Sequence, residues 1–346
     1  MLCNVQMYTC SSRIALIVDC RCHHTYLEVM TSSADIFSGT ANPIPALPGT
    51  YGYEPSGYRL PDTAHVGEVH LAVSDLARSH EYYERTLGLH ARPLDSSTVA
   101  MHAAGGASPL VVLHSQPGAR HAAKRRHLGL FHFALLLPDR AALGRFVQHL
   151  ADIGERAGAG DHLVSEAFYL HDPDGLGIEV YADRPRSTWM RQGRELMMAT
   201  DPVDIAAVVR AANGRPWEGM PSGTVMGHVH LHVGEIERAS EFYSGAIGFD
   251  RMVTKYPGAL FLAAGGYHHH LGTNTWAGPT ATAATVDDAR LLEWTLVVPA
   301  DGDINAVFRN SEARGFDVLR DADGSLLTRD PWGTQLRILT AKEARP

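Results

Sequence analysis

The chain repeats itself. Residues 67–76 read GEVHLAVSDL and residues 227–236 read GHVHLHVGEI, 160 positions apart. The spacing holds downstream, where Glu81-Tyr82-Tyr83 answers Glu241-Phe242-Tyr243 and Leu87-Gly88-Leu89 answers Ile247-Gly248-Phe249. A second pair of matches follows: Leu135–Pro138 with Leu296–Pro299, and Asp172-Pro173-Asp174-Gly175 with Asp330-Pro331-Trp332-Gly333, at offsets of 161 and 158 residues. Self-similarity at a fixed period means that one supersecondary unit is used repeatedly, with neighbouring copies completing one another's cores.

Each copy is itself doubled. An alternating strand over 67–73 followed by a helix over 75–87 has the same plan as a strand over 131–137 followed by a helix over 139–153. Leu143, Phe146, Val147 and Leu150 recur at helical spacing, as do Ala239, Phe242 and Ile247. Three short strands bounded by Gly, Pro or Asp follow each helix. The expected class is therefore α+β, with βαβββ modules at about 67–114, 130–182, 227–272 and 292–340. Two such modules side by side would curl their strands into a cup, with the first and last strand of each on its floor. The expected division is an extended or disordered arm over 1–62, domains at 63–183 and 223–342, and a linker at 184–222 with a helix near 203–212. Met30 reads as a natural start, so residues 1–29 are suspected not to be native.

At 45% hydrophobic and 20% charged, the chain has ample apolar material for globular cores. The net charge of −8 and the lack of a basic run longer than Lys124-Arg125-Arg126 argue against a nucleic-acid partner. No apolar run approaches the ~20 residues that span a bilayer, so no membrane partner is expected. Cys3, Cys10, Cys20 and Cys22 all precede the repeats, which implies a reduced, cytoplasmic enzyme body without a disulfide framework. A zinc site from Cys20, Cys22, His23 and His24 fits no common ligand spacing.

The repeat register isolates a chemical set. The same first-strand position carries Glu68, His132, His228 and Glu293 in the four modules, and its counterpart on the last strand is Glu179 in module two and Arg337 in module four. Two histidines and one carboxylate on one face match the facial triad of non-haem iron, which leaves positions open for substrate and dioxygen. A lone strand histidine is more often structural; the coincidence of register across repeats favours a metal. Gathering His132, Glu179 and His228 requires module two to face module three and module one to face module four. Pairing 1+2 would offer Glu68, His132 and Glu179, and pairing 3+4 would offer His228, Glu293 and the cation Arg337. Alternation puts His228, His230 and His232 on one face. His70, at the register of His230, reads as structural or vestigial.

HVHLHV at 228–233, FHFALLLPD at 131–139, DHLVSEAFYLHDPDGLGIEVYADRP at 161–185 and AGGYHHHLGTNTW at 264–276 resemble the vicinal oxygen chelate superfamily, and within it the type I extradiol (catechol 2,3-) dioxygenases. The resemblance covers about 67–340. It implies two tandem glyoxalase/bleomycin-resistance-type domains forming curved sheet cups, Fe(II) or Mn(II) on His132, Glu179 and His228, and a small aromatic diol with dioxygen as substrates. It further implies a homo-oligomer. Tyr169, ten residues before Glu179, would hydrogen-bond the substrate. His269, on the last strand of the partner module, would be the acid–base, with His268 and His270 as alternatives. His162 matches a second family histidine at shorter spacing, while His230 and His270 would support the substrate pocket. The same fold also carries metal-dependent isomerases of the glyoxalase kind and thiol transferases, and non-catalytic drug- or aromatic-binding proteins. Oxygen uptake on adding catechol separates the first reading from these.

Overall fold

The computed structural model describes residues 5–10, 13–18, 32, 36, 42–122 and 127–341. The cysteine- and histidine-bearing segment 20–24 and the cluster Lys124–Arg126 lie outside the described residues. Module one comprises β1 (His65–Val73), α1 (Leu76–Arg85), β2 (His90–Pro93), β3 (Thr98–His102) and β4 (Val111–Ser115). Module two follows as β5 (His127–Leu136), α2 (Arg140–Asp152), β6 (Gly158–Asp161), β7 (Ser165–His171) and β8 (Gly177–Asp183). After the linker helix α3 (Ile205–Ala211), module three has β9 (Val225–His232), α4 (Ile236–Ala239), β10 (Asp250–Val253), β11 (Ala259–Ala263) and β12 (Leu271–Asn274). Module four has β13 (Arg290–Val298), α5 (Asp301–Ala313), β14 (Val318–Arg320), β15 (Leu326–Arg329) and β16 (Gln335–Thr340).

Local chemistry explains the helix starts. Asp75, Asp139 and Asp204 each accept a hydrogen bond from the backbone N–H three residues on, which satisfies one of the orphan donors of a helix N-terminus. Helix α4 lacks a side-chain cap, and its continuation over Ser240–Ile247 is wound as a π-helix ending at left-handed Gly248.

The strands form two large curved sheets, and each draws on both halves of the chain. The first runs β10-β11-β12-β9-β5-β8-β7-β6, and the second runs β14-β15-β16-β13-β1-β4-β3-β2. Module two therefore faces module three and module one faces module four, with the first and last strand of every module at the centre. The seam is antiparallel in both sheets, β9 against β5 and β13 against β1. Of the arm, residues 42–62 pack on the body in short turns: Ile44–Pro45 pairs with Met190 and Arg191, Leu60 is buried, and Arg59 pairs with Asp250 at 2.7 Å.

Alternation sorts the central strands. Phe133, Leu135, Ile178, Val180, Val229 and Leu231 turn to one face and join Val69, Leu71, Trp294 and Leu296 of the second sheet in a single apolar core. His132, Glu179, His228 and His230 turn to the other face. A one-residue slip would expel several core side chains, each contributing ~1.5–3 kcal/mol by burial, and would push histidines into the core. That penalty fixes the register on which the site depends.

One glycine shows how tightly the floor is built. A Cβ on Gly177 would overlap the Phe131 carbonyl oxygen and lie 3.1 Å from the His132 Cβ. Gly177→Ala must separate β8 from β5 beneath the candidate ligands, and overpacking of this kind costs roughly 1–3 kcal/mol. We expect a corresponding drop in the urea midpoint together with weaker metal retention. Unchanged denaturation and metal content would show that the two strands give way freely here.

Candidate metal centre and active site

Side chains at facing positions of neighbouring strands share a face, so the pairing itself assembles a row. Tyr169 on β7 faces Glu179 on β8, Glu179 faces Ala134 on β5, and Ala134 faces His228 on β9. His132 stands two residues before Ala134 on the same face. Ala134, between Glu179 and His228 in this row, is fully buried in a small cluster with Ala167 and Tyr181. Glu179 Oε2 lies 3.0 Å from His132 Nε2 and 3.1 Å from His228 Nε2. All three donor atoms fall within 4.8 Å of one another.

The group is deeply buried, with Glu179 only 2% and His228 1% exposed. Burial opposes ionisation of Glu179, but the imidazoles of His228 and His132 outweigh it and hold the carboxyl well below the usual carboxylate range. Burial pushes His228 down as well, partly offset by Glu179. A buried carboxylate against two imidazoles is costly to assemble without a charge to bind. Two imidazole nitrogens and one carboxylate oxygen, convergent and on one side, suit a divalent first-row metal with open positions. The residues fit such an ion.

Above the group lies a cavity, lined in part by His132 and Glu179 and partly open to solvent. Its walls are largely aromatic, with Phe131, Tyr256, Phe261 and Trp276 among them, and it is closed on one side by Met198, Ala199 and Thr200 of the linker. The linker and arm pack there as a second apolar cluster through Ala46, Tyr51, Trp189 and Leu196.

The other candidate residues distribute unequally. Tyr169 and His162 line the cavity together, Tyr169 Oη lying 2.5 Å from His162 Nε2. His162 Nδ1 donates to the Ala199 carbonyl at 2.7 Å. His230 lines the cavity beside His132; burial and the neighbouring imidazoles of His132 and His228 hold it neutral, and Asn274 Nδ2 donates to its Nε2 at 3.0 Å. His269 also lines the cavity, its ring centroid 4.0 Å from that of His228. Burial, reinforced by His228 and His268, holds it well below the usual imidazole range. One correction concerns its setting: the expected last strand begins only at Leu271, so His269 sits in the turn before it. His270 does not line the cavity; its Nδ1 accepts from the Ala264 N–H at 3.1 Å.

The equivalent place in the second sheet is filled by an ion pair. Arg337 Nε reaches Glu293 Oε1 at 2.7 Å, and Gln335 Nε2 donates to Glu293 Oε2 at 2.7 Å. His70 and His114 share a 3.0 Å contact beside it. A guanidinium thus stands at the register of Glu179.

Sequence reasoning missed the linker wall at 198–200, which carries no repeat. Trp276 and Asn274 fell inside a quoted motif, but only the fold gives them roles.

Residues 64–180 match the family described as Glyoxalase/Bleomycin resistance protein/Dioxygenase superfamily. A catechol-2,3-dioxygenase of Bacillus subtilis (strain 168) is 38% identical over 273 residues, covering 78% of this chain and 95% of that protein. A solved structure from Bacillus subtilis subsp. subtilis strain 168, provisionally described as a dioxygenase, shares the fold with a TM-score of 0.58. It is 12% identical and covers 82% of this chain and 86% of its own. The chain belongs to the glyoxalase, bleomycin resistance protein and dioxygenase superfamily, as a homologue of a catechol-2,3-dioxygenase. Among the described residues, no helix is long and apolar enough to cross a membrane.

Proposed function

We propose that the protein is an extradiol ring-cleaving dioxygenase that holds Fe(II) on His132, Glu179 and His228 and acts on a catechol-type diol. The observation that carries this reading is the convergence of the three donors, two of which, His132 and Glu179, line an aromatic-walled cavity. Bound there, iron would supply adjacent open positions for the two diol oxygens and for dioxygen.

The chain's own residues divide the remaining work. Phe131, Phe261 and Trp276 offer apolar faces to the ring and exclude water. His269, held neutral by burial, can take a hydroxyl proton from the diol and later return it. The Ala199 carbonyl can only accept, so His162 carries a proton on Nδ1, and with that single proton its Nε2 accepts a hydrogen bond from the Tyr169 hydroxyl. Tyr169 lines the cavity, where its oxygen can meet a substrate hydroxyl. The placement of all four cysteines before the repeats supports a cytoplasmic setting.

The reading is tested by anaerobic metal analysis of the purified protein, then an oxygen-electrode screen of catechols and hydroquinones. Stoichiometric iron and oxygen uptake with a yellow ring-fission product are expected. No uptake by iron-loaded protein across the panel would overturn it, and manganese in place of iron would reassign the metal alone. Tyr169→Phe should retain metal and lose one hydrogen bond of about 0.5–1.5 kcal/mol, a ~2–10-fold fall in kcat/KM. An unchanged kcat/KM would remove Tyr169 from substrate binding.

A further inference from the structure

Three side chains form a line from the cavity toward solvent. His269 Nδ1 lies 2.7 Å from His268 Nδ1, and His268 Nε2 lies 2.9 Å from Asp183 Oδ1. Tyr267 Oη also donates to Asp183 Oδ1, at 3.2 Å. His268 is fully buried, whereas the Asp183 side chain at the end of β8 is 26% exposed.

Donor and acceptor counting limits where the protons sit. A carboxylate only accepts, so His268 carries a proton on Nε2. With that as its single proton, His268 has a bare Nδ1, and the one proton joining the two Nδ1 atoms at 2.7 Å is then the proton of His269. In that arrangement His269 Nε2 is the bare nitrogen. We propose that Asp183 and His268 are positioning residues that set the tautomer of His269, so that an unprotonated Nε2 is available to the substrate. Without the carboxylate, His268 is free to hold its proton on Nδ1 and donate to His269. That would move the His269 proton to Nε2 and convert the base into a donor. The bearing on catalysis rests on the dioxygenase reading; the tautomer itself does not.

The test uses the full chain labelled with 15N at histidine and free of metal, with ring nitrogens assigned through His269→Gln. Long-range 1H–15N spectra should give a protonated Nδ1 and bare Nε2 for His269 in the native protein. Asp183→Asn should populate the opposite tautomer, and Asp183→Glu should restore the native one. In iron-loaded protein, Asp183→Asn should lower kcat ~10-fold or more, and by no more than the ~10²–10⁴-fold worth of the positioned base itself, with KM and iron content unchanged. A native His269 already protonated on Nε2, or a tautomer indifferent to Asp183→Asn, overturns the proposal. If the native enzyme cleaves no diol, the dioxygenase reading fails while the spectra still decide the tautomer.

Discussion

Ala at position 132, 179 or 228 will each strip the protein of most of its bound metal and nearly all of its activity. His132, Glu179 and His228 are the three protein donors that converge within 4.8 Å, and a facial site has no fourth to compensate. Losing even a hydrogen-bond partner of a metal ligand typically weakens binding ~10–100-fold, so losing a ligand should exceed ~100-fold. Glu179→Ala has a second consequence, since it leaves two imidazoles buried without the carboxylate they share. Glu293→Ala and Arg337→Ala make the control. Both alter the ion pair at the equivalent place in the second sheet, and metal stoichiometry should be unaffected. Metal analysis after anaerobic reconstitution reads the result, and full occupancy in any of the three ligand variants would falsify the assignment.

His269→Ala should behave differently. The ring touches His228 but is not one of the three convergent donors, so metal content should stay near the native level. Removing a positioned base costs typically ~10²–10⁴-fold in turnover, and kcat should fall by that order. Steady-state oxygen uptake with parallel metal analysis separates the two quantities. Normal turnover at normal metal content would shift the role to His162 or His230, which line the cavity with His132 and His269.

The repeat made the floor of the site legible before any coordinate. Because the period of a strand is two residues, matching registers across modules placed Glu68, His132, His228 and Glu293 at equivalent positions, His132 and His228 in one sheet and Glu68 and Glu293 in the other. The pairing of modules two and three then followed from chemistry alone. The same logic could not choose within His268-His269-His270. That segment is a turn rather than a strand, and alternation has no meaning there. The cavity wall at Met198–Thr200 was equally out of reach, because its position comes from linker packing against module three and not from any periodic pattern. Asp183 stood inside a quoted motif, but its role depends on meeting His268 from a module 85 residues away.

The seam between the halves also bears on how the chain comes into being on the ribosome. Strand β5 must wait for β9, and ninety or so residues separate them. At ~5–20 residues per second, that is roughly 5–20 s during which β1 and β5 both offer a long unpaired edge. Such edges invite pairing with another nascent chain, and the first half carries two of complementary plan. The linker wall that later closes the cavity emerges within this same interval. A protein assembled this way keeps the β5 edge exposed until His132, Glu179 and His228 first meet, so a chaperone that shields the first half would act in that window.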